Sequence, residues 1–140
     1  MNKEQIKDWL AEYKITNYSI NDDLVVDVHG NAWIGRANLT SLPFQFGIVQ
    51  GAFSCSDNKL TSLEYCPKEV HGGFYCDGNQ LTSLEHCPKE VKGSFSCSDN
   101  KLTSLEHCPK VVQGYFVCDE HLRNDIRYLR WKLAKQLLSL

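Results

Sequence analysis

Across 140 residues the chain has one methionine, four prolines and no long apolar run. A membrane-spanning helix takes about 20 consecutive apolar residues, so neither a span nor a membrane partner is expected. The segment MNKEQIKDWLAEY is too charged for a secretory signal, which makes a cytoplasm the expected location. Net charge is also nearly absent, at −2, although residues 1–118 hold 10 Lys/Arg against 14 Asp/Glu while residues 119–140 hold five against three. Missing too are phosphate-binding glycine loops, HExxH helices and Ser-His-Asp arrangements. With 42% apolar residues the length suits one domain with a core and leaves no separate catalytic domain. The expectation is a protein that is not an enzyme and takes no cofactor.

Cysteine, by contrast, is abundant. Seven residues at alternating spacings of eleven and ten lack the C-x-x-C pairing of zinc sites, and an odd count without a secretory signal argues against a disulfide scaffold. If the coils stack about 4.8 Å apart, four thiols in one column span roughly 14 Å. One zinc ion needs all four sulfurs within about 4 Å of one another, so no metal site is expected. Bridges between neighbours are disfavoured as well, because Cβ atoms about 4.8 Å apart exceed the roughly 3.8 Å a disulfide prefers. The thiols read as small apolar core residues.

What dominates the sequence is a 21-residue unit carrying Leu60-Thr-Ser-Leu63, Leu81-Thr-Ser-Leu84 and Leu102-Thr-Ser-Leu105. A fixed short period means a solenoid, in which each unit buries its apolar face only against its neighbours. Aligned without gaps, Phe53, Phe74, Phe95 and Phe116 form one column, Cys55, Cys76, Cys97 and Cys118 a second, and Asn58, Asn79 and Asn100 a third. Alternation sends Phe and Cys inward and the residue between them outward, so each coil is expected to add one short parallel strand. Gly30, Gly51, Gly72, Gly93 and Gly114 recur at one position, where the turn needs either positive φ or close backbone approach. A second cysteine column, Cys66, Cys87 and Cys108, precedes proline and also reads as core, whereas Tyr65, His86 and His107 share a solvated loop position.

The phrase Phe-x-Cys-x-x-Asn-x-Leu-x-x-Leu resembles the second half of the leucine-rich repeat, with Phe and Cys replacing two leucines. It is most similar to the short bacterial and phage type, with a Cys-Pro-x-x-Val return loop, over about residues 15–122. One departure is that Val49, Val70, Val91 and Val112 stand four residues before Phe instead of three. The resemblance implies an α/β leucine-rich repeat solenoid with short parallel strands on a concave face. It also implies a buried asparagine column whose amides satisfy backbone groups in the turn.

The pattern degrades at both ends, as capping requires. Ala32 and Ile34 replace Phe and Cys in a first, atypical coil, and Asn2 is placed to N-cap a helix over residues 3–13 with Ile6, Trp9, Leu10 and Tyr13 on one face. Downstream, His121 replaces the expected Asn, and Leu122, Ile126, Leu129, Leu133 and Leu137 take helical spacing. That stripe is expected to close the last coil. The expected organisation is a single domain with a helical cap over 1–14, about five coils over 15–118 and an amphipathic helical cap over 119–140.

Most positions are therefore architectural, and function is expected where the repeats differ. On the outward strand face these positions include Trp33, Ser54, Tyr75, Ser96 and Val117, flanked by Tyr115, Asp77 and Asp119. Aromatics among small residues leave room for a partner, and Trp and Tyr are favoured interface anchors. A second candidate surface is the basic helix, with Arg127, Tyr128, Arg130, Trp131 and Lys135. The expected partner is another protein. The phage resemblance implies an inhibitor of a host protein, such as a component of antiphage defence, acting in the host cytoplasm. The alternatives are self-assembly into a homo-oligomer through the end of the stack or the Tyr128/Trp131 side, and nucleic-acid binding through the basic helix. Of these, nucleic-acid binding is the least expected.

Overall fold

Any extended segment repeated at constant spacing can stack in register on its copy in the next coil, and two segments per unit do so here. In a computed structural model that describes residues 1–139, the chain is a β-solenoid with parallel strands and a helix at each end. Helix α1 (Lys3–Glu12) precedes strands β1 (Tyr18–Ile20), β2 (Val26–Val28), β3 (Ala32–Trp33), β4 (Phe46–Val49), β5 (Phe53–Ser54) and β6 (Glu69–Val70). Strands β7 (Phe74–Tyr75), β8 (Glu90–Val91), β9 (Phe95–Ser96), β10 (Val111–Val112) and β11 (Phe116–Val117) follow, then a 3-10 turn (Glu120–Leu122) and helix α2 (Ile126–Leu138).

Two sheets result. A valine sheet runs β1-β2-β4-β6-β8-β10, parallel except for the β1–β2 pair, and a phenylalanine sheet runs β3-β5-β7-β9-β11, all parallel. The expectation of one strand per coil is thus corrected to two. The segment between the Cys-Pro turn and the glycine turn is extended, and the constant valine spacing lets it pair as Val49↔Val70 and Val70↔Val91.

Between the sheets lie the Phe and Leu columns, with Phe53, Phe74, Phe95, Leu60, Leu63, Leu81 and Leu84 wholly removed from solvent. Each such side chain contributes about 1.5–3 kcal/mol by burial. The phenylalanines stack in the middle of the column, 5.5 Å between the Phe53 and Phe74 centroids and 6.1 Å between Phe74 and Phe95. At either end they turn edge-on, to Phe46 at 5.3 Å and to Phe116 at 5.1 Å. Trp9 continues this aromatic spine into α1, and Tyr128 and Trp131 continue it into α2.

The asparagine column makes the backbone contacts the resemblance implies, with Asn58 and Asn79 buried and Asn100 half-buried. Asn79 Nδ2 donates to the carbonyls of Cys55 and Cys76, each at 3.0 Å, and its Oδ1 accepts from Leu60 N–H at 3.0 Å. Asn58 and Asn100 repeat the pattern one coil up and one coil down. These turns bury backbone groups that would otherwise lack partners.

Of the two reasons offered for the glycine column, close approach is the operative one, since Gly78, outside that column, is the glycine with positive φ. A Cβ at Gly72 would lie 2.7 Å from the Gly51 carbonyl carbon, and one at Gly93 would lie 2.7 Å from that of Gly72. Gly30, with no coil before it, has nothing within 4 Å. Left-handed backbone is instead taken by side-chain-bearing residues in other turns, including Asp57, Asp99, Tyr65, His86 and His107.

Helix α1 forms as expected: Asn2 and Gln5 make a reciprocal capping box, and Ile6 and Leu10 are fully buried. Helix α2 departs from expectation. It starts at Ile126 behind an Asp125 N-cap, buries no residue completely, and leaves Ile126, Leu129, Leu133 and Leu137 in solvent, while Leu122 is buried in the 3-10 turn. The side carrying Tyr128 and Trp131 packs on Phe116 instead. The physical reason lies in the end of the stack, where carbonyls normally met by the next coil need donors that leucine lacks. Gly30, Gly51, Gly72 and Gly93 carbonyls each accept from the glycine N–H one coil later, and the Gly114 carbonyl accepts from Trp131 Nε1 at 3.2 Å. Likewise Leu39, Leu60 and Leu81 carbonyls accept from the next coil's backbone, whereas the Leu102 carbonyl is met by His121 Nε2 at 2.9 Å. Lys135 Nζ donates to the Gln113 carbonyl, and Asp125 Oδ2 accepts from Leu105 N–H. Trp131 and His121 thus stand in for the missing coil, while Lys135 and Asp125 add contacts of their own.

Candidate functional site

Strand alternation projects the residue after each phenylalanine away from the core, and across the phenylalanine sheet this brings Trp33, Ser54, Tyr75, Ser96 and Val117 into one row through the registers Trp33↔Ser54, Ser54↔Tyr75, Tyr75↔Ser96 and Ser96↔Val117. Trp33 and Tyr75 lean together over the small residue between them, with centroids 6.4 Å apart and planes 25° from parallel. Ser54 is buried beneath them, and its Oγ donates to Ser56 Oγ at 3.2 Å, which donates to Asp77 Oδ1 at 2.9 Å. The Tyr75 ring also lies across Gly73, where an added Cβ would meet the phenol within 2.3 Å. The small residues of the flanking column therefore make space for the aromatic plate.

Further along the same sheet Tyr115 is 76% exposed and Val117 45%, against 54% for Trp33. Ser96 is half-buried, and Asp119 Oδ1 accepts from Asp99 N–H at 2.9 Å. Six of the eight residues expected on this face thus form an aromatic plate over a hydrogen-bonded floor and an exposed Tyr115/Val117 patch beside it, with Ser96 and Asp119 outside both.

The second candidate surface is largely used to hold α2. Tyr128 and Trp131 are half-buried on Phe116, Lys135 caps the Gln113 carbonyl, and Arg127 makes an ion pair with Asp125 at 3.0 Å. Arg130 alone of the five is exposed and outside the capping contacts described above. The Tyr128/Trp131 side therefore spends part of its surface on the last coil.

The thiols are all unpaired and lie in or against the core. Cys76 Sγ donates to the Ser96 carbonyl at 3.4 Å, and Cys55 and Cys97 make matching contacts at 3.7 Å. Burial pushes the Cys66, Cys76, Cys87 and Cys97 thiols well above their ordinary range, and lifts Cys108 and Cys118 to about 11. These six are held protonated at neutral pH, the opposite of an activated nucleophile. Among the described residues no group of His, Cys, Asp or Glu is placed to hold a metal ion, and no helix is long and apolar enough to cross a membrane.

Two positions were not singled out from sequence. Asp125 both N-caps α2, accepting from Arg127 N–H at 2.9 Å, and clamps the last coil through Leu105 N–H at 3.0 Å. Burial pushes its carboxyl up, but the two N–H groups and the Arg127 guanidinium outweigh that and hold it below 3.8. An acidic residue directly before a helical stripe was the available signal. The other is the valine sheet's last strand, which faces α2 across a groove of about 890 Å³.

The architecture defines the class, a short-period β-solenoid with parallel strands closed by helices. No family model, curated protein or solved structure matches the chain.

Proposed function

We propose that this chain is a non-catalytic recognition module of the leucine-rich repeat type, which binds another protein through the outward face of the phenylalanine sheet. The observation that carries the reading is the Trp33–Tyr75 plate. Two aromatic rings held together over a buried serine form a preorganised apolar anchor, and ordering them in advance lowers the entropic cost of binding. Exposed Tyr115 and Val117 extend the patch. Protonated, repeated core thiols fit a structural role and no covalent chemistry. In keeping with the resemblance to the phage type, such a compact binder acts by blocking a host protein, for instance in antiphage defence.

The test is affinity capture from nuclease-treated host lysate by the wild-type chain and by a folded Trp33→Ala/Tyr75→Ala/Tyr115→Ala variant. One protein retained by wild type and lost by the variant is the expected result. Equal recovery by both removes this face as the site.

A second reading, self-association, draws on the leucines that α2 leaves in solvent. Arg130 and Lys132 flank that stripe, so two copies would bring like charges together. Sedimentation at high concentration decides it: a monomer unaffected by Leu133→Glu eliminates pairing, and a dimer abolished by that change establishes it.

A further inference from the structure

We propose that the groove between β10 and α2 accepts an extended acidic segment of a partner protein, which adds to the valine sheet as a further strand. This site lies apart from the aromatic plate and stands independently of the function proposed above.

The backbone provides the first argument. In the valine sheet the Val28, Val49 and Val91 carbonyls accept from Gln50, His71 and Gln113 N–H, at 2.9, 3.0 and 3.0 Å. Two residues earlier in the coil, the Gly47 and Lys89 carbonyls accept from Lys68 and Lys110 N–H, at 3.0 and 2.8 Å. In each case the carbonyl serves the following coil. By the same register the Lys110 and Val112 carbonyls face beyond β10, the last strand of the sheet, and no donor meets them among the described residues. The α2 side chains cap the neighbouring Gln113 and Gly114 carbonyls but leave these two. An open edge of this kind is what strand addition uses.

The groove's chemistry selects the occupant. Val112, Phe116 and Trp131 give it an apolar floor, and Lys110, Arg127, Arg130 and Lys135 line it with no carboxylate among the lining residues. Arg127 is committed to Asp125 and Lys135 to Gln113, whereas Lys110 and Arg130 are exposed and make no ion pair among the described residues. A strand that alternates apolar and acidic residues would place one set on the floor and the other toward those two cations. A second copy's β10 would instead set Lys110 and Arg130 against their own counterparts. The volume of about 890 Å³ is within the roughly 300–1,000 Å³ range of ligand sites.

The probe is a fluorescein-labelled seven-residue peptide alternating Glu and Val, titrated by anisotropy against the full chain. Saturable binding is expected, weakened at least tenfold by each of three changes: Lys for Glu in the peptide, N-methylation of alternate peptide amides, and Lys110→Glu/Arg130→Glu in the protein. Both substituted side chains are exposed, and an unchanged thermal melt checks that the variant is folded. The Trp33→Ala/Tyr75→Ala/Tyr115→Ala protein is expected to bind the peptide like wild type. Absence of saturable binding at millimolar peptide overturns the proposal. So does undiminished binding of the N-methylated peptide, which would show that main-chain pairing is not used. Complete displacement by decanoate together with equal binding of the N-methylated peptide would assign the groove to anionic amphiphiles instead.

Discussion

Helices α1 and α2 both have amphipathic spacing, both begin behind a capping side chain, and both join the aromatic spine, yet they close their ends of the solenoid by different physics. α1 buries Ile6 and Leu10 completely and sets Trp9 edge-on against Phe44 at 5.1 Å, so apolar burial holds it. α2 buries no residue fully and is held by two half-buried aromatics, by donors to the Gly114 and Gln113 carbonyls, and by the Asp125 clamp. The difference follows from what each end lacks. At the start, antiparallel β1 already pairs with β2, which leaves apolar surface to cover. At the finish, the Gly114 carbonyl has no following glycine N–H to meet it, and a helix that satisfies it must turn Trp131 inward. The leucines of α2 are consequently free for something other than the core.

The largest consequence concerns the apolar faces. Leu10→Ala is expected to cost about 2–5 kcal/mol of unfolding free energy, because Leu10 is fully enclosed. Leu133→Ala, at 56% exposure, is expected to stay within about 0.5 kcal/mol. Urea unfolding of the two variants compares them directly, and equal losses would erase the distinction between the caps.

The repeated glycine sharpens the contrast between the ends. At Gly114 a Cβ would lie 2.6 Å from Ser94 N and 2.7 Å from the Gly93 carbonyl carbon, and at Gly30 it would meet nothing within 4 Å. Gly114→Ala is expected to cost roughly 3 kcal/mol through backbone displacement. Gly30→Ala, the same substitution at the same repeat position, is expected to be neutral or to stabilise by about 0.4–1 kcal/mol. Thermal melts of the pair provide the check.

A smaller effect separates the two N-caps by acid. Asn2 does not titrate, whereas the Asp125 carboxyl is held below its ordinary 3.8 in the folded chain. A depressed carboxylate contributes stability that is complete above its unfolded value and is lost as pH falls through the folded one. Amide exchange at Leu105 and Arg127 is therefore expected to lose protection below pH of about 3.8, while Gln5 at the α1 cap keeps its protection. Parallel loss at both caps would contradict the clamp.

The coils themselves were legible because their chemistry is local and repeated. Phe53, Cys55, Asn58 and Leu60 each recur at 21-residue steps, and an alternation of buried and exposed positions follows from strand geometry alone. The first cap was readable for a similar reason, with Asn2, Ile6 and Leu10 carrying a complete start signal and face. The second sheet is not legible in the recurring valines, because two-residue strands take their structure from stacking and not from propensity. The C-terminal helix misled in a more instructive way. Hydrophobic periodicity picks out Ile126, Leu129, Leu133 and Leu137, but the demand for a hydrogen-bond donor at the Gly114 carbonyl decides which side faces inward. That demand belongs to the end of a stack and is invisible in the helix's own sequence. The Trp33 and Tyr75 positions were readable as outward-facing. Their stacking across Ser54 depends on side-chain reach between coils two apart, which repeat alignment does not contain.

The central claim, that α2 closes the solenoid with its aromatic side and leaves its leucines outside, is tested most directly by the unfolding free energies of Trp131→Ala and of Leu129→Ala/Leu133→Ala. Loss of the half-buried indole and its bond to Gly114 is expected to cost about 2 kcal/mol, with the double leucine variant within about 1 kcal/mol of wild type. The reverse order, a costly leucine pair and a neutral tryptophan, would mean that the helix lies on its leucine stripe and would contradict the account.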